Sequence, residues 1–278
     1  MMKFAWIPLA LAMAVPSLAS AQTTCAGKSG EIGSFTKTIV SSGMERTYHI
    51  DIPATYDRRV GTPLVFNFHG LGGNGTNHAQ STGMVEAASA QGYISVHAEG
   101  YENSWNAGAC CGAALNEDID DVQFVRDMLS EISEGYCVEE SRVHSTGFSN
   151  GGYFSHRLAC EASDIIASVA PVAGLIGVEC DPERPVPVHQ THGTADPLVW
   201  YNAGTDDVGQ WAALNGCDAE PSTYYSRANV ECIAYSNCDD GADVELCSLR
   251  FVGHKWVRSR WYDTTEENLD FFDAHPML

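Results

Sequence analysis

The stretch Ser145-Thr-Gly-Phe-Ser-Asn-Gly-Gly-Tyr-Phe154 sets Ser149 between Gly147 and Gly151. Gly-x-Ser-x-Gly after an apolar run and before a helical one is the pattern of a tight strand-to-helix elbow, where small flanking residues let the serine Oγ project without steric conflict. A serine hydroxyl is a poor nucleophile until a base takes its proton. The base in turn needs a third group to hold its tautomer and stabilise its cation. Downstream, "THGTADPLV" offers Asp196 and "FVGHKW" offers His254, in the chain order that such elbows use. Ser149, Asp196 and His254 therefore read as nucleophile, orienting acid and general base. Asp206 and Asp207 follow closely enough to replace Asp196 if their loop folds back.

Acyl transfer through such a serine also needs donors for the developing oxyanion. Asn150, the residue after the nucleophile, supplies one backbone N–H, and the "HGLGGNG" loop supplies a second, assigned to Leu71. His69 precedes that loop and reads as its brace. His189 and His192 are three apart, which on a strand points them to opposite faces, so they do not make a metal pair; His192 reads as scaffolding for the Asp196 loop. Trp105, Trp200, Tyr201, Trp211 and Trp256 fall on expected loops near these positions, and Trp105, Trp200 and Trp256 are the expected substrate contacts, since flat apolar walls suit a phenolic ring or a sugar face. No Cys-x-x-Cys stands near suitably spaced histidines, so neither metal nor organic cofactor is expected.

These residues need a frame, and the alternation of short apolar runs with amphipathic ones predicts a mostly parallel sheet covered by helices, an α/β fold. "PLVFNFHG", "YISVHAEG", "RVHSTGFS", "IIASVAPVAG", "VPVHQTHG" and "VELCSLRFVGH" read as six strands in that order, and "ERTYHIDIP" as a partly exposed leading strand. Ile119, Val122, Val125, Leu129 and Ile132 recur at helical spacing within 116–134, with Asn116 as the expected cap, and 264–274 reads as a closing helix. Residues 200–243 show little periodicity and read as a cross-linked excursion. There is no repeat and no linker, so one domain is expected over 22–278.

Residues 1–21 read as a signal peptide, with Lys3, an apolar run from Phe4 to Val15 and an Ala19-Ser20-Ala21 cleavage signal. The expectation is a secreted, extracellular protein with no membrane span. All 10 cysteines lie beyond that leader, so disulfides are expected, with the adjacent Cys110 and Cys111 bound to two separate partners. The formal charge of −21, or −22 once Lys3 leaves, repels phosphate backbones and makes nucleic acid and anionic membranes poor partners. A monomer is expected. Asn74-Gly75-Thr76 is an acceptor for N-linked glycan in a eukaryotic host.

With "FHGLGG", "SWNAGACCG", "DIDDVQFVRDML", "GFSNGGYFSHRLAC", "VAPVAG", "HGTADPLV" and "GHKW" in hand, the chain resembles the secreted feruloyl esterase and polyhydroxybutyrate depolymerase-like group of α/β-hydrolases. The resemblance runs over nearly all of the chain beyond the leader. It implies carboxylic ester hydrolysis through Ser149, Asp196 and His254. The substrate it implies is feruloylated plant polysaccharide, with polyhydroxybutyrate oligomers and acetylated xylan as alternatives. Lys255-Trp256-Val257 stands where relatives often carry Ser-Trp-Pro, which bears on substrate preference. A binding protein of the same fold would show a damaged triad, whereas all three positions are filled.

Overall fold

The computed structural model describes Cys25, Lys28 and residues 30–278; the signal peptide read over 1–21 lies outside the described residues. Two alternating segments come first, β1 (Gly33–Ser41) and β2 (Met44–Ile52), paired antiparallel across the turn at Ser42 and Gly43. Only β2 was legible as a strand, because β1 is a surface strand that alternates half-buried with exposed residues and contains four Ser or Thr. The unbroken apolar run of β3 (Thr62–Phe68) is buried along its whole length, as a strand covered on both faces must be. There follow α1 (Gly75–Thr82), α2 (Met84–Ala90), β4 (Ile94–Ala98), α3 (Ala113–Asn116), α4 (Asp121–Gly135), β5 (Val138–Phe148), α5 (Asn150–Glu161), β6 (Ser168–Val172) and β7 (Val188–Gly193). The chain ends with α6 (Tyr201–Leu214), β8 (Ser222–Arg227), β9 (Val230–Tyr235), β10 (Val244–Leu249), the short pair β11 (Arg258–Ser259) and β12 (Tyr262–Asp263), and α7 (Thr264–Ala274).

Ten strands form one sheet in the order β1-β2-β4-β3-β5-β6-β7-β10-β9-β8. The six from β4 to β10 run parallel, and antiparallel hairpins extend both edges. Side chains alternate across the pleat. Leu64, Phe66 and Phe68 join a large core with α4, α5 and α6, while Val65 faces a smaller one with Met84 of α2 and Leu269 and Phe272 of α7. The order reverses around β3: its chain leaves toward β4 on one side and returns as β5 on the other. At such a switch point the loops that leave the carboxyl ends of neighbouring strands part to opposite faces, and a cleft opens between them. The loops concerned are the glycine-rich one after β3 and the serine elbow after β5.

Two expectations need correction. Asn116 does not cap the long crossover helix: it ends α3, and Asp120 caps α4 by accepting from Gln123 N at 3.0 Å. The polar "NEDI" segment between the two lets Asp118 adopt a left-handed φ of 49°, which breaks the helical run. Residues 200–243 are not an irregular excursion but α6 followed by the β8–β9 hairpin, whose polar, exposed outer strand carries no hydrophobic period to read.

Among the described residues five disulfides join Cys25–Cys137, Cys110–Cys111, Cys160–Cys180, Cys217–Cys238 and Cys232–Cys247. The adjacent pair therefore bridges itself and does not seek separate partners. Both residues sit at positive φ, 47° and 141°, a backbone turn that brings two neighbouring sulfurs onto the same side.

Candidate active site

Ser149 follows β5 and is the N-cap of α5, with φ 55° and ψ −120°, a left-handed conformation that a non-glycine residue adopts only when its surroundings hold it there. Three contacts do so. Its N–H donates to Val172 O on β6 at 2.9 Å, its carbonyl accepts from Tyr153 N at 2.9 Å, and its Cβ lies against the loop after β3 at Gly70. The glycines of the motif are demanded by the packing. A Cβ on Gly147 would lie 2.4 Å from Gly151 O, and one on Gly151 would lie 2.2 Å from Phe68 O.

His254 Nδ1 lies 2.7 Å from Asp196 Oδ2. The other oxygen of Asp196 accepts from the backbone N–H of Leu198 and of Val199, both at 2.9 Å. Burial pushes this carboxyl's pKa up, but the Val199 and Leu198 N–H groups and the His254 ring more than offset it, so the group is held below its ordinary value and stays ionised. An ionised Asp196 fixes His254 as the Nδ1–H tautomer, with Nε2 free to take a proton. The ring packs on Phe148, the residue before Ser149, at 4.7 Å between centroids. Among the described residues no hydrogen bond joins Ser149 to the ring; the contact that brings His254 to the elbow is the one with Phe148, the residue before the nucleophile.

His69 braces the loop after β3. Its Nε2 accepts from Gly100 N at 3.0 Å, so Nδ1 carries the hydrogen and donates to Gly70 O at 2.8 Å. Burial lowers its pKa, which suits a neutral brace. On this loop the N–H groups of Gly72 and Gly73 are spent on Asn103 O and Gly70 O, at 2.8 and 3.0 Å.

Comparison with known proteins meets this arrangement. The chain is 32% identical over 230 residues to feruloyl esterase B of Piromyces equi, a match covering 74% of this chain and 42% of that protein. It is 26% identical over 255 residues to feruloyl esterase D of Neurospora crassa, covering 85% of this chain and 84% of that one. The solved acetyl xylan esterase from Aspergillus awamori superposes with a TM-score of 0.66 at 14% identity, over 86% of this chain and 99% of that one. The chain is similar to feruloyl esterases and takes the α/β-hydrolase fold. No family model matches it. It spans less than half the length of the first two curated relatives it matches, 42% and 48%.

In this α/β-hydrolase the three expected tryptophans part company. Trp105 is fully buried, with its rings against Phe68 and Phe154 and Nε1 donating to His69 O at 3.0 Å, so it is core and not a substrate wall. Trp256 turns inward too, donating to Thr265 Oγ1 at 3.0 Å and packing edge-on to His78. Each indole N–H found an internal acceptor, a tertiary event that sequence spacing does not announce. Trp200, 75% exposed, remains on the rim. Trp211 is buried in α6 and donates to His156 Nδ1 at 3.0 Å. His192 does support the Asp196 loop, through Val199 O at 2.9 Å, and His189 faces the other way to Glu245 at 2.8 Å. Asp206 and Asp207 do not reach His254: Asp207 accepts from Ile176 N at 2.6 Å.

Three contributors were not read from the sequence. The side chain of Asn150 grips Trp105, accepting from its N–H at 2.7 Å and donating to its carbonyl at 3.1 Å. Asp121, paired with Arg46 at 2.8 Å, accepts from Asn106 N at 2.7 Å, which is how the "SWNAGACCG" and "DIDDV" stretches come to act together. Phe251, on the turn between β10 and His254, holds φ 63° and is 83% exposed. Leu71, Leu198 and Trp200, on the loops after β3 and β7, are exposed apolar side chains as well.

Proposed function

We propose that this protein is an extracellular serine carboxylic-ester hydrolase that releases ferulate or a related hydroxycinnamate from esterified plant cell-wall polysaccharide. The observation that carries the reading is the Asp196–His254 pair, bonded at 2.7 Å, with the His254 ring packed against Phe148 of the strained Ser149 elbow. Curated relatives bearing the name feruloyl esterase support the ester class, and five disulfides support an oxidising compartment.

In the first half-reaction His254 Nε2 takes the proton of Ser149 Oγ as the oxygen attacks the ester carbonyl. The charge on the tetrahedral oxygen is met by two backbone donors, Asn150 N–H at the start of α5 and Leu71 N–H, the loop donor left over once Gly72 and Gly73 have spent theirs. Asp196 stabilises the imidazolium without taking its proton. His254 then protonates the departing sugar oxygen, leaving an acyl-enzyme on Ser149. In the second half a water gives its proton to His254 and attacks the acyl carbon, and His254 passes that proton to the departing Ser149 Oγ, which frees the acid and restores both residues. Every catalytic group in these steps belongs to the chain, and the water is a substrate. The exposed aromatic rim of Trp200 and Phe251 suits a phenolic acyl group or a sugar face.

A second reading, acetyl ester hydrolysis, draws on the superposition with an acetyl xylan esterase. Hydrolysis of methyl ferulate, acetylated xylan and a hydroxybutyrate trimer, with Ser149→Ala as the blank, separates the readings. Ferulate release lost in the blank is the expected outcome. Release from only one of the other two esters moves the substrate assignment, and turnover retained by Ser149→Ala overturns the nucleophile.

A further inference from the structure

Cys110 and Cys111 bridge each other, and such a bridge cannot do what disulfides ordinarily do. A cross-link stabilises by shortening the free chain of the unfolded state, and here the chain it closes is a single peptide unit. The other four bridges close separations of 15 to 112 residues and serve that purpose. A bridge between neighbours holds local backbone instead. Cys110 has φ 47°, Cys111 141° and Gly112 102°, three successive residues in the region that L side chains avoid.

The turn held in this way lies on the oxyanion loop. A Cβ at Gly112 would stand 2.9 Å from Leu71 Cδ1 and 2.4 Å from Ser104 Cβ, so the backbone that leaves the bridge rests on the Leu71 side chain. Ser104 supports both elements: its hydroxyl accepts from Ala114 N at 3.0 Å, just beyond the bridge, while the preceding residue's carbonyl, Asn103 O, receives Gly72 N at 2.8 Å. The strap that contains the bridge starts at Trp105, held by the Asn150 side chain. It passes Gly108, which abuts Gly177 and Val178 after β6, and ends against Leu71. One strap therefore joins the residues assigned as the two oxyanion donors.

We propose that the Cys110–Cys111 bridge is a positioning element of the active site, locking the 110–112 turn so that Leu71 holds its N–H toward the oxyanion. The inference rests on the roles assigned above to Ser149, Asn150 and Leu71. Its signature is a lower acylation rate per active site, with KM and global stability unchanged.

Two variants of the full chain test it: Cys110→Ser/Cys111→Ser, with the four other bridges verified by non-reducing peptide mapping, and Gly112→Ala, which keeps the bridge but presses on Leu71. Each is followed by stopped-flow acylation with 4-nitrophenyl acetate, by steady-state kcat and KM on methyl ferulate, and by thermal unfolding. Acylation is expected to slow about tenfold or more in both, part of the loss seen when an oxyanion donor is removed, with burst amplitude and KM close to wild type; Tm stays close to wild type in the double serine variant and falls in Gly112→Ala, whose Cβ would lie 2.4 Å from Ser104 Cβ. Wild-type acylation in either variant overturns the proposal, and so does, in the double serine variant, a loss that merely tracks a fall in Tm or in burst amplitude. A burst that survives in Ser149→Ala with the bridge intact would instead show that the site assignment itself has failed.

Discussion

At the scale of single residues, Asp196 makes the sharpest demand. Its oxygens are committed to Leu198 N, Val199 N and His254 Nδ1, and only 7% of the residue is exposed. Asp196→Asn keeps the volume but turns an amide N–H toward donors, which favours the wrong imidazole tautomer. A loss of about 10⁴ in kcat is expected, with the fold retained by circular dichroism. Asp207 poses a different question, because burial, together with the charge of Asp206, pushes its pKa up to about 6 despite the Ile176 N–H that it accepts. The folded protein then holds this proton more tightly than the unfolded chain does, so the contribution of Asp207 to stability falls as pH rises from about 4 to about 6 and is flat above. Asp207→Asn removes that decline. The Tm of the variant relative to wild type should climb across this window in calorimetry and then level off; a constant difference would show that Asp207 titrates normally.

At the scale of elements, the elbow between β5 and α5 is a problem of close approach. Alanine in place of a helical glycine ordinarily stabilises by about 0.5–1 kcal/mol. At Gly151 the sign should reverse, since the new Cβ would meet Phe68 O at 2.2 Å and β3 cannot retreat from the centre of the sheet. Gly151→Ala is expected to cost about 3 kcal/mol or more in urea unfolding, in the range of overpacked cores. Gly209, which has open space around its Cβ position, provides the control in which alanine should stabilise α6. Much at this scale was legible beforehand. The parallel strands announced themselves as apolar runs, and α7 spans the residues expected of it. The edge strands β1 and β8 did not, because β1 has one face in water, β8 is exposed along its whole length, and a strand with few apolar residues carries almost no periodic signal.

At the scale of the whole molecule, the disulfides lie where the sheet has least to hold it. Cys232–Cys247 ties β9 to β10 across a register pair, and Cys217–Cys238 ties the end of α6 to the residues after β9, next to the exposed strand β8. The first closes a separation of 15 residues. By chain entropy it contributes about 3 kcal/mol. Cys232→Ser/Cys247→Ser should therefore lose that much in denaturant unfolding while keeping its esterase kcat at low temperature, because the pair lies within the β9–β10 ladder and makes no hydrogen bond to Ser149, Asp196 or His254. A large loss of kcat without loss of stability would tie the hairpin to the site. Acidity is a further property of the whole chain: at a formal −21 it disfavours anionic surfaces, and among the described residues no helix is long and apolar enough to cross a membrane.

By itself the sequence determined the α/β architecture, the six central strands along the chain, and the candidate triad of Ser149, Asp196 and His254, because these are written locally as apolar runs, glycine-flanked turns and residues at strand ends. Tertiary structure decided what depends on which distant surfaces meet. It buried Trp105 and turned Trp256 inward, because an indole N–H follows its nearest acceptor. It set Asp121 under Asn106 and Asn150 under Trp105. It also joined Cys110 to Cys111, a choice that only the backbone turn at those two residues and the pairing of the other eight cysteines could make.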